Sequence, residues 1–332
     1  MYLKEGKAKM LFKDISLRIF FASDIHGSET CFKKFLNSAK FYDAKALVFG
    51  GDITGKAIIP IVKHNGGYIS NLYGNEVRIN GDNELNEFIK LQKNKGFYPY
   101  VTDKEEYEEL GNNNEKLNEK FKELMLERIQ QWVLLANERL KGTGIKIYWE
   151  AGNDDLLDLD SLMESESTVY IGEKVVDLFD FKIAGLSYAN TTPWNAPRDV
   201  PEEKLNEIIN SILKSAGFDE SEKTQELIFA FHPPPFDTIL DLAPRVQADF
   251  TYARVGGQPD FIHVGSMAVR KAIESYKPLL SLHGHIHESK GVDKVGNTVS
   301  INPGSEYSEG VLHGALINLD KGKVKSYILT TG

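Results

Sequence analysis

The sequence predicts a layered α/β fold, on three observations. Short apolar, β-rich runs alternate with segments of helical period along most of the chain, which is how strands covered by helices read. Its 332 residues are 41% apolar and 26% charged, the make-up of an ordinary globular domain, and that excludes disordered, collagen-like and coiled-coil chains. The longest uninterrupted apolar run, Ala57 to Val62, falls far short of the roughly 20 residues a membrane helix needs, so a soluble chain without a membrane partner is expected.

In chain order, strands are expected over Leu17 to Ser23, Ala46 to Phe49, Ile145 to Glu150, Phe181 to Leu186, Leu227 to Phe231 and Leu279 to Leu282. Between them, Glu29 to Ala39 and Met267 to Tyr276 have helical period. Glu203 to Ala216 puts Leu205, Ile208, Ile209, Ile212 and Leu213 on one face, with Pro201 near its start and Gly217 just past its end. Thr298 to Ile301, Val311 to Leu319 and Val324 to Leu329 follow one another without helices, which predicts antiparallel pairing. Residues 64–144 break the rhythm. An alternating section, Tyr68 to Ile79, reads as a hairpin, polar loops follow, and Glu115 to Leu140 reads as a long helix. Its stripe is Leu117, Phe121, Met125, Ile129, Trp132, Ala136 and Leu140. A single domain over residues 1–332, with 64–144 inserted as a cap or subregion, is the expected organisation.

Thirty-nine Lys and Arg against 48 Asp and Glu give a net charge of −9, which opposes the phosphate attraction of general nucleic-acid binders and disfavours nucleic acid as a partner. Met1 to Ser16 lacks the apolar core and small-residue cleavage site of a secretory leader. The one cysteine, Cys31, excludes an intramolecular disulfide framework, and a cytoplasmic location is the default expectation.

Five segments at the ends of expected strands carry metal-ligand side chains or the glycines needed beside them. They are Asp24-Ile25-His26-Gly27, Gly50-Gly51-Asp52-Ile53-Thr54-Gly55, Gly152-Asn153-Asp154-Asp155, His232 before three prolines, and His283-Gly284-His285-Ile286-His287. Singly, each reads as a capped turn, a solvated loop or a core histidine. Together and in order they point to one crevice, because ligands of open α/β sheets gather beyond the carboxyl ends of the strands. Carboxylate, amide and imidazole ligands without thiolate suit Mn, Fe or Zn. Two residues apart on an extended segment, Asp24 with His26 and His285 with His287 point the same way.

This ordered set resembles that of the calcineurin-like metallophosphoesterases, over motifs running from residue 24 to residue 287. The resemblance implies a four-layer α/β/β/α sandwich of two mixed sheets and a dinuclear site. It implies Asp24, His26, Asp52 and His287 on the first metal and Asp52, Asn153, His232 and His285 on the second, with Asp52 bridging. Two divalent or trivalent ions (Mn, Fe, Zn or Ni) about 3.5 to 4 Å apart would lower the pKa of a bridging water to about 7, and the hydroxide would attack phosphorus in line. Asn153, with both metals, would offset charge on the phosphoryl oxygens.

One position departs from the family pattern. The usual motif has a histidine, credited with assisting the leaving group, where this chain has Asp154. An ordinary aspartate is ionised at pH 7, and neighbouring cations keep it so. Asp154 is therefore not expected to donate the proton; His263, His283 and His313 are candidates to replace it. Relatives lacking the histidine imply a phosphodiester substrate, such as a cyclic nucleotide or another small phosphorylated molecule. A phosphomonoesterase, a nuclease and a metal-binding scaffold are the alternatives; charge counts against the nuclease, and the filled ligand positions count against the scaffold. The Tyr188 to Asn195 loop is a candidate cleft lining, and Asn302-Pro303-Gly304-Ser305 reads as a structural turn.

Overall fold

The computed structural model describes residues 17–220 and 225–332; the segment 1–16, read above for a leader, lies outside them. Two six-stranded mixed sheets dominate. The first has the spatial order Lys323–Thr331, His313–Asp320, Leu17–Ala22, Ala46–Gly50, Lys146–Glu150 and Thr168–Tyr170. Its last four strands are parallel, with Ile19 opposite Ala46 and Ala46 opposite Lys146. The second runs Gly291–Val295, Thr298–Asn302, Leu280–Leu282, Leu227–Phe231, Phe181–Leu186 and Val175–Leu178, parallel through its four central strands. Ala46–Gly50 and Leu227–Phe231 are buried along their whole length, which is why they read as continuous apolar runs and not as alternation.

The expected pairing at the C-terminal end holds for His313–Asp320 with Lys323–Thr331. Thr298–Asn302 instead belongs to the other sheet, antiparallel to Gly291–Val295 and parallel to Leu280–Leu282.

Three cores follow from the period-2 alternation of the strands. Phe20, Ala22, Leu47 and Phe49 face the helix Glu29–Phe41 and the helix Asn114–Leu140, through Phe32, Phe35, Ile129 and Trp132. Their neighbours Ile19, Phe21, Ala46 and Val48 turn the other way and meet Ile183, Ile228, Ala230, Leu280 and Leu282 of the second sheet. Phe229 and Phe231, with Ala184 and Leu186, pack under Leu205, Ile209, Val269 and Ile273 of the helices Glu202–Ser215 and Met267–Tyr276. Each fully buried large side chain contributes about 1.5–3 kcal/mol.

Between the second and third motif loops the chain builds a separate four-stranded sheet, ordered Asn75–Ile79, Gly67–Leu72, Ile58–His64 and Tyr98–Thr102. The hairpin Gly67–Leu72 with Asn75–Ile79 is the one expected. The long helix, capped by Asn113 Oδ1, divides its stripe: Met125, Ile129, Trp132, Ala136 and Leu140 are buried, Phe121 packs edge-on against Tyr98, and Leu117 is exposed. Among the described residues, no helix is long and apolar enough to cross a membrane.

Candidate metal centre

Five loops leave the carboxyl ends of Leu17–Ala22, Ala46–Gly50, Lys146–Glu150, Leu227–Phe231 and Leu280–Leu282, so both sheets contribute. Backbone bonds tie them together. Asp24 N donates to Gly51 O (3.0 Å), His26 N to Asp52 O (3.0 Å), Gly27 N to Ile53 O (2.7 Å) and Gly284 N to His232 O (3.0 Å). The Asp155 carboxylate, fully buried, accepts from Ile53 N (2.9 Å), Thr54 N (2.8 Å), Thr54 Oγ1 (2.5 Å) and Gly152 N (2.8 Å), joining the Asp52 loop to the Asn153 loop. Glycine is needed at two of these crossings: a Cβ on Gly284 would collide with Ser23 Oγ and Asp24 Oδ2, and one on Gly152 with Asp52 Oδ1.

The ligand atoms of Asp24, His26, Asp52 and His287 all lie within 4.8 Å of one another. His26 Nε2 faces His287 Nε2 at 3.0 Å and Asp52 Oδ2 at 3.6 Å, and His287 Nε2 lies 3.4 Å from Asp24 Oδ1. On the other side of Asp52, its Oδ1 is 3.4 Å from His232 Nε2. Asn153 Oδ1 then lies 3.1 Å from His232 Nε2 and 2.9 Å from His285 Nδ1. Asp52 thus divides its oxygens between two groups of donors. His232 is oriented by its Nδ1 on Gly50 O at 2.7 Å.

Burial and mutual charge set the protonation of these groups. Burial lowers His26, and the Lys56 charge adds to that effect. Burial, with His232 beside it, pushes His285 down to about 4. For His232 burial acts in the same sense, yet the Asp52 carboxylate outweighs it and holds the ring up at about 10. Burial opposes ionisation of Asp24, but its bond to His287 and the charge of His232 keep it well below the ordinary aspartate value. The set is hard oxygen plus imidazole with no thiolate, and imidazole nitrogens facing each other at 3.0 Å suit a shared cation better than one another. Asp24, His26, Asp52 and His287 fit a metal.

Sequence reasoning passed over four groups around this centre. Asn153 Nδ2 donates to Asp199 Oδ1 (3.0 Å), whose other oxygen is held by Thr192 N, Thr192 Oγ1 and Ala196 N, so the Tyr188 to Asn195 loop aims the amide oxygen. Lys56 Nζ pairs with Asp154 Oδ2 at 2.7 Å. Burial works against the Lys56 charge, but Asp154 and Asp52 hold it above the usual lysine value. The Tyr307 ring lies 4.7 Å from that of His26. Arg128 donates to Gly27 O at 2.5 Å from the long helix. Lys56 directly follows Gly55 and Tyr307 lies two residues past Ser305, but neither position by itself marks a partner.

Of the candidate replacements for the missing histidine, His283 is fully buried and bonded to Phe231 O, Pro233 O and Ser281. His263 is bound to Asp241, and His313 to Glu306 and Lys290. The Asn302 turn is structural: Asn302 Nδ2 donates to Gly284 O and Ile286 O, and Ser305 Oγ donates to Asp24 O at 2.6 Å.

No family model matches the chain. The uncharacterized protein MJ1162 of Methanocaldococcus jannaschii is 32% identical over 136 residues, which are 40% of this chain and 52% of that protein, so the match spans about half the relative's length. One crystal structure superimposes with a TM-score of 0.55 at 16% identity, covering 94% of this chain and 98% of the other. That of TT1561 from Thermus thermophilus gives 0.50 at 14% identity, covering 95% and 98%. At these identities the likeness is one of fold alone.

Proposed function

We propose that this chain is a metal-dependent phosphoesterase of the calcineurin-like kind, hydrolysing the phosphodiester of a small molecule such as a cyclic nucleotide. The observation that carries it is Asp52, whose two oxygens face two separate donor groups at 3.6 and 3.4 Å. Asp24, His26, Asp52 and His287 would hold one ion, and Asp52, Asn153, His232 and His285 a second, drawn from Mn, Fe, Zn or Ni. When bound, such a pair supplies Lewis acidity to phosphoryl oxygens and acidifies water. The chain's own part is positional. Asp199 turns the Asn153 amide oxygen inward, Gly50 O fixes the His232 tautomer with Nδ1 protonated, and Asp155 holds two ligand loops in register.

The diester preference rests on Asp154. Its carboxylate is engaged by Lys56 at 2.7 Å, and an ion-paired carboxylate is an acceptor with no proton to give a poor leaving group. We also read the three cores as the seams of an α/β/β/α sandwich, the four-stranded sheet and its helices as an insertion within one domain, and the lone buried Cys31 as fitting a cytoplasmic setting.

The test is hydrolysis of bis-p-nitrophenyl phosphate beside p-nitrophenyl phosphate after metal is stripped and Mn or Ni restored. Metal-dependent turnover that favours the diester and is lost in Asp52→Asn is expected. Equal turnover in Asp52→Asn, or none in the metal-loaded wild type across a diester and cyclic-nucleotide panel, removes the proposal.

A further inference from the structure

Five of the candidate ligand side chains are closed off from solvent: Asp24, His26, Asp52, Asn153 and His232 are all at 3% exposure or less. His285 and His287 are partly exposed, the His287 side chain at 27%, as are the side chains of Asp154 at 25% and Lys56 at 51%. Lys56 stands on this side as an ammonium paired with Asp154 Oδ2 at 2.7 Å. Asp154 is adjacent in sequence to Asn153, and its N–H donates to Asp52 Oδ1 at 3.1 Å, so the ion pair sits beside the bridging carboxylate. Tyr307, 4.7 Å from the His26 ring and 6.0 Å from that of His287, walls the same side.

A staple between the Asp52 and Asn153 loops would be the plain role for a Lys56–Asp154 pair. That staple already exists in the buried Asp155 carboxylate, which accepts three hydrogen bonds from the Asp52 loop and a fourth from Gly152 N of its own loop. A half-exposed pair adds little to it. What the pair does supply is an ammonium on a flexible stem at the entrance of a site whose own ligands include two carboxylates, and a phosphoester is an anion. Such a pair is readily exchanged for a phosphoryl oxygen.

We propose that Lys56 is the substrate-anchoring cation of this site and that Asp154 occupies its anion position until a phosphoryl group displaces it. The inference rests on the phosphoesterase reading and deepens it: the site selects phosphorylated substrates by ionic exchange at its entrance, in addition to the metals. Asp154 is then an internal competitor of the substrate.

The test uses metal-loaded protein and inorganic phosphate. In the wild type, phosphate should protect Lys56 from acylation by an amine-reactive ester, read by mass spectrometry. By calorimetry, the phosphate Kd should rise at least tenfold in Lys56→Gln and recover most of the way in Lys56→Arg, whereas Asp154→Asn should tighten it several-fold. For the diester, Lys56→Gln should raise KM with kcat within a few-fold, and metal content and Tm should stay unchanged. Wild-type protein that binds phosphate and turns over diester, while Lys56→Gln binds phosphate equally and Lys56 acylation ignores phosphate, overturns the proposal and leaves the phosphoesterase reading intact. Weaker phosphate binding in Asp154→Asn overturns the displacement, since it would make Asp154 a support for Lys56. Wild-type protein that neither binds phosphate nor turns over diester overturns both.

Discussion

Asp24, His26, Asp52 and His285 all have positive φ, at 55°, 38°, 51° and 69°. Each such non-glycine residue costs about 1–3 kcal/mol, and such residues persist only where their surroundings over-determine them. Here those surroundings are the cross-loop bonds of Gly51, Asp52 and Asp155, together with His285 N on the Asp24 carboxylate at 3.1 Å. His283 is part of the same scaffold. Its Nδ1 serves Phe231 O (2.9 Å) and Pro233 O (3.0 Å), its Nε2 meets Ser281 Oγ (2.8 Å), and burial pushes the ring down to about 4. The folded-state value is thus depressed below the unfolded value of about 6.5. The folded protein prefers the neutral ring, so this contribution is intact above about pH 6.5 and is lost as pH falls towards 4. At pH 5 the loss is about 2 kcal/mol. Urea unfolding of metal-stripped protein at pH 7 and pH 5 should show His283→Gln losing less stability on acidification than the wild type; equal losses would contradict the assignment.

On the scale of elements, the long helix Asn114–Leu140 is tied through Arg128 to the loop that follows His26. Arg128, 4% exposed, gives Nη1 to Gly27 O (2.5 Å) and Nη2 to Phe97 O (3.3 Å), with its guanidinium 5.1 Å from the Tyr98 ring centroid. Tyr98 OH in turn accepts from Gly55 N at 3.0 Å. Arg128→Met keeps the bulk but leaves two carbonyls short of a donor, a cost of about 2–4 kcal/mol. Because Gly27 follows His26, metal affinity should fall as well, by about tenfold. Urea denaturation and a metal titration check both, and an unchanged titration would detach the helix from the site. In the sequence this helix announced itself through its apolar stripe, and for that reason Arg128 went unseen: a buried charge looks like a solvated one until its acceptors are known. Strand Ile58–His64 was hidden by Pro60, which ordinarily argues against a central strand, although here it lies between Gly67–Leu72 and Tyr98–Thr102. The loops that bring these Asp, Asn and His side chains together were legible because strand ends and runs of Gly, Asp and His both leave local marks. Asp199 and the Lys56–Asp154 pair act across 46 and 98 positions respectively, and no local pattern records them.

For the whole molecule, the centre is the polar junction between two sheets whose other contact is apolar and non-directional. Asp24, His26, Asp52 and Asn153 follow strands of the first sheet, and His232, His285 and His287 follow strands of the second. A cation shared by these residues would bind the folded chain only and would stabilise it by RT ln(1 + [L]/Kd), about 2.7 kcal/mol per site at a hundredfold excess over Kd. In a chain of this size that raises Tm on the order of 5 °C. The gain should shrink as pH falls, because imidazole ligands must be neutral to bind, and His232, held up at about 10 by Asp52, must release a proton. Scanning calorimetry of three proteins separates one shared site from two. If Asp52 bridges, Asp52→Asn removes nearly the whole metal-dependent shift. Asn153→Ala, which touches only the second donor group, removes about half. Equal residual shifts in the two variants would mean that Asp52 serves a single ion, and the two groups of donors on its oxygens would then have to be independent.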